Sequence, residues 1–452
     1  MKSNEKNLVY FFIQILLVIF TILFFTFQKS LVFNTICMVG TVISLICWAV
    51  VILISGSFFS NISFIYISFV LFQFGIPILY ATENDYNNFY VSLFTVDTLN
   101  NGAIFSIFCI ETFTLGILIC SLIKKSYNRL IFANTRWARN TNMVEKASLL
   151  LFNICAVVYL PATIYGAFVL HSRFSLPALG GITKQFYFPA ALLVLCYSKN
   201  PKVRKYIYTM YIIECILAMF TGGRTESLVP LLVLIVYYFQ YRDNTKTSWM
   251  SKLLLSFLLL IMIVLLVTVA QLRIGNTVND FSLKSIYESF VGELGFNFTT
   301  ILFVIVGTQL IGFKYGLTYL NDLVTLIPDA IDPTGIILKL QSLSGATWLQ
   351  NTYGYQLGFG LGFSIIGEAY FNFGYYGVIA ILILGFLVAL FQSKPVHLCT
   401  NWEKYIQLAL LLGFITVTRR DFYQFLKQIE YSIFVMALYL YVFSKFKINN
   451  IK

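Results

Sequence analysis

The chain has 452 residues, of which 59% are hydrophobic and only 11% charged, with a formal net charge of +12. Soluble domains carry about 25% charged residues, so a string of soluble domains is excluded and a membrane protein is implied. The positive charge does not point to nucleic acid. Lys and Arg gather in short loops between apolar runs, where they set topology, and none of the signatures of a nucleic-acid-binding module accompanies them.

A bilayer core of about 30 Å needs about 20 helical residues, and runs of that kind recur along the chain. The first, 8–27, is too long and too aromatic for a signal peptide and is expected to stay attached as a span. Long runs follow at 31–55, 62–80, 103–123, 147–170, 253–272 and 369–392, with shorter ones at 186–198, 206–221, 227–241, 405–418 and 428–444. The expectation is an all-α, polytopic transmembrane bundle of about twelve spans, forming one integral membrane domain over 1–452. The loops 124–146, 199–205 and 242–252 carry six, four and three basic residues, which puts them and both termini in the cytoplasm. The segment 273–368 is then a large outer-face loop region. Within it, the charge-free run Phe296–Phe313 is read as an interfacial or re-entrant helix, because Thr299, Thr300, Thr308 and Gln309 give it a polar component. The eight cysteines form no CxxC or Cys/His cluster, so no metal site is expected.

Charge collects at the outer ends of the short spans: Lys184, Arg224 with Glu226, Arg419-Arg420-Asp421, and Glu430. Charges at that depth are costly unless they face protein or water. The arrangement suggests a polar cavity opening at the outer leaflet, although tilt and snorkelling would also accommodate them. In Thr221-Gly222-Gly223-Arg224, two glycines end one helix and an arginine opens the next. This is either a phosphate site at a helix N-terminus or a C-cap beside an interfacial anchor. Arg173, Arg224, Arg273, Arg419 and Arg420 all lie at or near outward span ends. A preference for arginine there suits bidentate recognition of a diphosphate, with aromatic-belt anchoring as the competitor. The stretch Gly367-Glu368-Ala369-Tyr370-Phe371-Asn372-Phe373-Gly374 sets a carboxylate, an amide and aromatic rings at the outer boundary. Tyr370 and Asn372 suit a sugar, and Glu368 suits a general base; an aromatic belt would look similar. His171 lies two residues before Arg173 and is another candidate base. Glu111 and Glu214 lie mid-span and are read as hydrogen-bonded helix contacts rather than a proton relay.

On the Gly-Gly-Arg turn at 222–224, the Arg419-Arg420 pair, the Gly-Glu-Ala-Tyr-x-Asn-x-Gly stretch from Gly367, and the long outer loop before it, the chain resembles the O-antigen and capsule repeat-unit polymerases of the Wzy type. The Arg-x10-Gly loop pattern of some members is absent at Arg173, Arg224 and Arg273. The resemblance implies a bundle like those of GT-C-type membrane glycosyltransferases in the bacterial inner membrane. It further implies transfer of a glycan from undecaprenyl diphosphate to a hydroxyl of an incoming lipid-linked oligosaccharide. On this reading Arg173, Arg224, Arg273, Arg419, Arg420, Tyr370 and Asn372 bind substrate, and Glu368, Asp421 or His171 is the base. No cofactor is implied, and a chain-length-regulating co-polymerase is a possible partner. A ligase onto another acceptor would share these features. A flippase would carry polar groups through the full membrane depth, whereas here charge collects on one side.

Overall fold

The structure is a computed structural model. It describes residues 3–28, 31–83, 86–123, 135–170, 179–221, 224–241, 282–327, 344–357 and 361–449, with the isolated positions 132, 134, 257, 264, 267, 268, 335, 339 and 340. Helix makes up 86% and no strand is present among the described residues. Each segment therefore satisfies its own backbone, as a bilayer demands. In chain order the main helices are α1 (Ser3–Phe27), α2 (Phe33–Ser55), α3 (Asn61–Thr82), α4 (Val96–Ile123), α5 (Thr141–Tyr165), α6 (Leu179–Tyr197), α7 (Pro201–Phe220) and α8 (Arg224–Val236). There follow α9 (Leu283–Gly295), α10 (Asn297–Ile311), α11 (Leu317–Val324), α12 (Ile365–Phe373), α13 (Val378–Gln392), α14 (Asn401–Val417), α15 (Phe422–Ile429) and α16 (Met436–Asn449).

Helix starts follow local chemistry. Asn140 accepts the Met143 N–H at 3.1 Å and Asn200 that of Lys202 at 3.0 Å, with Pro201 opening α7. Thr400 and Glu403 form a reciprocal capping box at α14: the Thr400 N–H meets Glu403 Oε2 at 2.9 Å and the Glu403 N–H meets Thr400 Oγ1 at 3.3 Å.

Helices lie at eleven of the twelve expected runs, while 253–272 falls almost wholly outside the described residues. Seven of the described helical segments are long and apolar enough to cross a membrane, or up to eight if α9 and α10 count as one. Those two meet at 41°, the geometry of a broken span or a re-entrant loop. The charge-free stretch is apolar because α10 is buried almost all round. Its threonines bond to carbonyls: Thr299 to Phe296 at 2.7 Å, Thr300 to Gly362 at 3.2 Å and Thr308 to Ile305 at 2.9 Å.

Two compact units form. One comprises Met1–Tyr127, Tyr287–Ser393 and Phe414–Leu426; the other comprises Asn128–Ile286, Lys394–Gly413 and Lys427–Lys452. In the first, α4 and α13 cross with their backbones in contact. A Cβ on Gly116 would strike the Leu382 carbonyl and one on Gly385 the Phe113 carbonyl, so two small residues let the backbones touch. Helix α1 exposes Leu8, Phe12, Leu16 and Phe20, yet buries Gln14 and Thr21 against α4. Thr21 Oγ1 donates to Glu111 Oε1 at 2.6 Å. In the second unit, α5 packs on α6, and Thr163 Oγ1 donates to Glu214 Oε1 at 3.0 Å. Both mid-span glutamates thus take part in helix-to-helix hydrogen bonds.

Candidate functional site

The site grows from α12. Ser364 caps it by accepting the Gly367 N–H at 3.0 Å, which sets Glu368 in the first turn and Asn372 one turn later. Both are buried, Glu368 with 1% of its surface exposed. Asn372 clips the C-terminal end of α12 to the chain that follows α10. Its Nδ2 donates to the Glu368 carbonyl at 2.9 Å and to Thr318 Oγ1 at 2.6 Å, and its Oδ1 accepts the Gly316 N–H at 3.0 Å. The Lys314 and Tyr315 N–H groups meet the Phe371 and Asn372 carbonyls at 3.0 and 2.9 Å. The reversal needs Gly316 at φ +87°, a left-handed conformation that a Cβ disfavours.

Helix α11, which this clip positions, is inside-out. Leu317, Leu320 and Leu323 are 62%, 59% and 51% exposed, whereas Thr318, Asn321, Asp322 and Thr325 are buried. Such a helix suits an apolar surrounding medium with a polar interior beneath it. Thr318 Oγ1 donates to Glu368 Oε1 at 2.8 Å, and Asp322, one turn on, faces the Glu368 carboxyl. The Tyr319 ring lies edge-on to Phe422, with centroids 5.5 Å apart, and stacks on Phe373.

The third element is the turn into α15. Gln73 donates to the Thr418 carbonyl and Asn297 to the Arg419 carbonyl at 2.8 Å. The Arg419 guanidinium lies 5.7 Å from the centre of the Phe72 ring. Asp421 caps α15 by accepting the Gln424 N–H at 3.3 Å, and Arg420 reaches Gln424 Oε1 at 3.4 Å. The three leading amides of α15 each meet a different carboxyl: Phe422 N–H donates to Glu368 Oε2 at 2.8 Å, Tyr423 N–H faces Asp322, and Gln424 N–H serves Asp421. A helix N-terminus is the electropositive end that such a cluster needs. Desolvation pushes Asp322 up to about 7, with the neighbouring Asp421 charge adding to the rise and the Glu368 and Tyr423 hydrogen bonds opposing it. Burial also raises Asp421 against the pull of its own hydrogen bond and of Arg420, and raises the Tyr319 phenol beside Glu368 and Asp322.

A family model described as O-antigen polysaccharide polymerase Wzy matches residues 8–450. The chain belongs to that family. It is therefore a multi-pass membrane protein and an O-antigen repeat-unit polymerase, a class that acts on lipid-linked repeat units in the membrane. No curated relative and no solved structure matches the chain.

In this Wzy-family polymerase, the first unit brings together Glu368, Asn372, Arg419, Arg420 and Asp421 from the residues expected at the site. Tyr370 instead joins an aromatic cluster with Phe105, Phe313 and Tyr375. Arg224 opens α8 in the second unit, where Lys184 and Glu226 pair at 2.6 Å. His171, Arg173, Arg273 and the side chain of Arg224 lie outside the described residues. Among the described residues, no three His, Cys, Asp or Glu side chains are placed to hold a metal ion. Sequence reasoning missed Thr318, Tyr319, Asn321 and Asp322. The available signal was the spacing of Leu317, Leu320 and Leu323, a three-residue period that leaves Thr318, Asn321 and Asp322 on the other face.

Proposed function

We propose that this polymerase transfers the growing glycan from undecaprenyl diphosphate onto a hydroxyl of an incoming lipid-linked repeat unit at the outer face of the bacterial inner membrane. The acceptor oxygen attacks the anomeric carbon, and the bond from that carbon to the diphosphate oxygen breaks. Undecaprenyl diphosphate leaves with the electron pair, and the hydroxyl proton passes to a carboxylate. Arg419 and Arg420 stand beside the acid cluster and supply fixed positive charge for the diphosphate, with Arg224, Arg273 and Arg173 as further candidates. Guanidinium groups can do this without a metal ion, and the proposed enzyme is metal-independent. Its twelve spans leave both termini in the cytoplasm, and a co-polymerase that sets chain length is a compatible partner.

One observation carries the reading. Three carboxyls from three separate segments meet the first three amides of α15 next to two arginines, which supports a proton acceptor beside fixed positive charge. The test uses the purified full-length protein in nanodiscs, given only the lipid-linked repeat unit isolated from cells lacking the polymerase. A ladder of longer lipid-linked oligomers is expected without nucleotide sugar and in the presence of chelator. A ligase would give product only after a separate acceptor was added, and a flippase would give none. Absence of a ladder from folded protein overturns the proposal, and loss of the ladder with chelator overturns its metal independence.

A further inference from the structure

We propose that the buried polar edge of α11, formed by Tyr319 Oη, the Asn321 side-chain amide and Asp322 Oδ2, is the subsite that receives the attacking sugar hydroxyl, with Asp322 taking its proton. This rests on the polymerase reading above and assigns parts within it.

The argument begins with which oxygens are already engaged. Glu368 holds Thr318 Oγ1 on one oxygen and the Phe422 N–H on the other, and Asn372 is engaged on both sides of its amide. Asp421 caps α15. The edge of α11 is different. Tyr319 Oη, Asn321 Nδ2, Asn321 Oδ1 and Asp322 Oδ2 are all buried, and none has a hydrogen-bond partner among the described residues. Asn321 is 7% exposed and Asp322 2%. Buried polar groups are almost always satisfied by protein, ordered water or ligand. Four unmatched atoms on three residues of one eight-residue helix therefore mark a place for something polar from outside.

The chemistry of the four selects the occupant. A phenol both donates and accepts, an amide offers one donor group and one acceptor, and the carboxylate accepts. Sugar hydroxyls, each a donor and an acceptor, match that mixture. An anion does not, because Asp322 lies with Glu368 and Asp421. In the reaction, the hydroxyl O–H bond breaks as its oxygen bonds the anomeric carbon. The proton goes to Asp322 Oδ2 while the electron pair of the departing bond leaves with the diphosphate. Glu368 is then a positioning residue, tying α11 to the N-terminus of α15.

The test holds a preformed lipid-linked oligomer fixed as donor and varies the repeat unit as acceptor, using full-length protein in nanodiscs. Asp322→Asn is expected to lower kcat by about 10²–10⁴-fold, the range for loss of a general base, with little change in acceptor KM. Tyr319→Phe and Asn321→Leu remove no side-chain hydrogen bond to any of the described residues. They should leave thermal stability unchanged yet raise acceptor KM by about tenfold each, as loss of a ground-state contact does. Wild-type kcat in Asp322→Asn overturns the assignment of Asp322. Should that variant not accumulate in membranes, Tyr319→Phe and Asn321→Leu decide, and unchanged acceptor KM in both overturns the subsite. Failure of the wild-type protein itself to elongate would overturn the polymerase reading instead.

Discussion

Replacing Glu368 separates a positioning role from a chemical one. Glu368→Ala removes the hydrogen bonds from Thr318 Oγ1 and from the Phe422 N–H, each 2.8 Å long, together with the hydrogen bond to the Asp322 carboxyl. Hydrogen bonds contribute about 0.5–1.5 kcal/mol apiece and a buried partner left unsatisfied costs about 1–3 kcal/mol more, so the loss is roughly 3–6 kcal/mol, concentrated where α11 and α15 meet. If the active geometry carries that whole difference, elongation falls about 10²–10⁴-fold, at 1.36 kcal/mol per decade. Glu368→Gln should behave differently. The amide oxygen can accept the Phe422 N–H while its nitrogen donates to the Thr318 hydroxyl oxygen, so both contacts persist. Only the contact with Asp322 is altered, at about 0.5–1.5 kcal/mol, which predicts a loss of about tenfold or less. Hydrogen exchange of the Phe422 amide, read alongside elongation, is the assay. Alanine should deprotect it, and glutamine should not. A glutamine variant as inactive as the alanine one, with the amide still protected, would refute the positioning role and put Glu368 in the chemistry.

Arg420→Lys should lose most polymer while still reaching the membrane, and Arg224→Lys likewise, because an ammonium cannot fork two phosphate oxygens; wild-type polymer length in both would leave only an anchoring role. Single cysteines at the exposed positions Gly335 or Lys339, in a cysteine-free background, should react with impermeant maleimide from outside, whereas one at Asn140 should not; protection of the first pair would mean that α9 and α10 together cross the membrane. Elongation should rise with pH through about 7 and then level off, since Asp322 must be ionised to accept a proton and burial lifts it from 3.8 to about 7. The groups facing Asp322 are Glu368, Asp421, Tyr319 and the Tyr423 amide, and Asp322→Asn should flatten that limb of the profile. The sign for stability is opposite: the charged form is the penalised one, so the contribution of Asp322 is fullest below 3.8 and declines as pH rises towards 7. A melting temperature that climbs across that window would contradict the burial of the charge.

How far the site was legible depended on how each polar residue stood out from its neighbours. Glu368 and Asn372 interrupt an apolar run between glycines, so they were conspicuous, and the structure buries both in one clip. Asp421 was visible through Arg419 and Arg420, yet its capping of α15 followed only from Gln424 three residues on. The helices themselves were largely legible because apolar length alone specifies them in a membrane. The bend between α9 and α10 was not, since hydropathy does not distinguish a run buried in protein from one facing lipid, and α10 is the former.

Asp322 was the hardest to see, for a reason that bears on reading any membrane enzyme. In water, a helix with leucines every three residues buries them, and its polar face is solvated surface. Read by that rule, Leu317, Leu320 and Leu323 would be the core of α11, and Asn321 and Asp322 would be loop decoration. The burial pattern is the reverse: the leucines are outside and the polar residues inside. Where the surrounding medium is apolar, polar groups cannot be satisfied by solvent and must find protein, water or ligand. The same periodicity therefore has the opposite functional meaning. Applied to the outer segment, the reversed rule selects the face carrying Thr318, Asn321 and Asp322, the face that meets Glu368 and the first amides of α15.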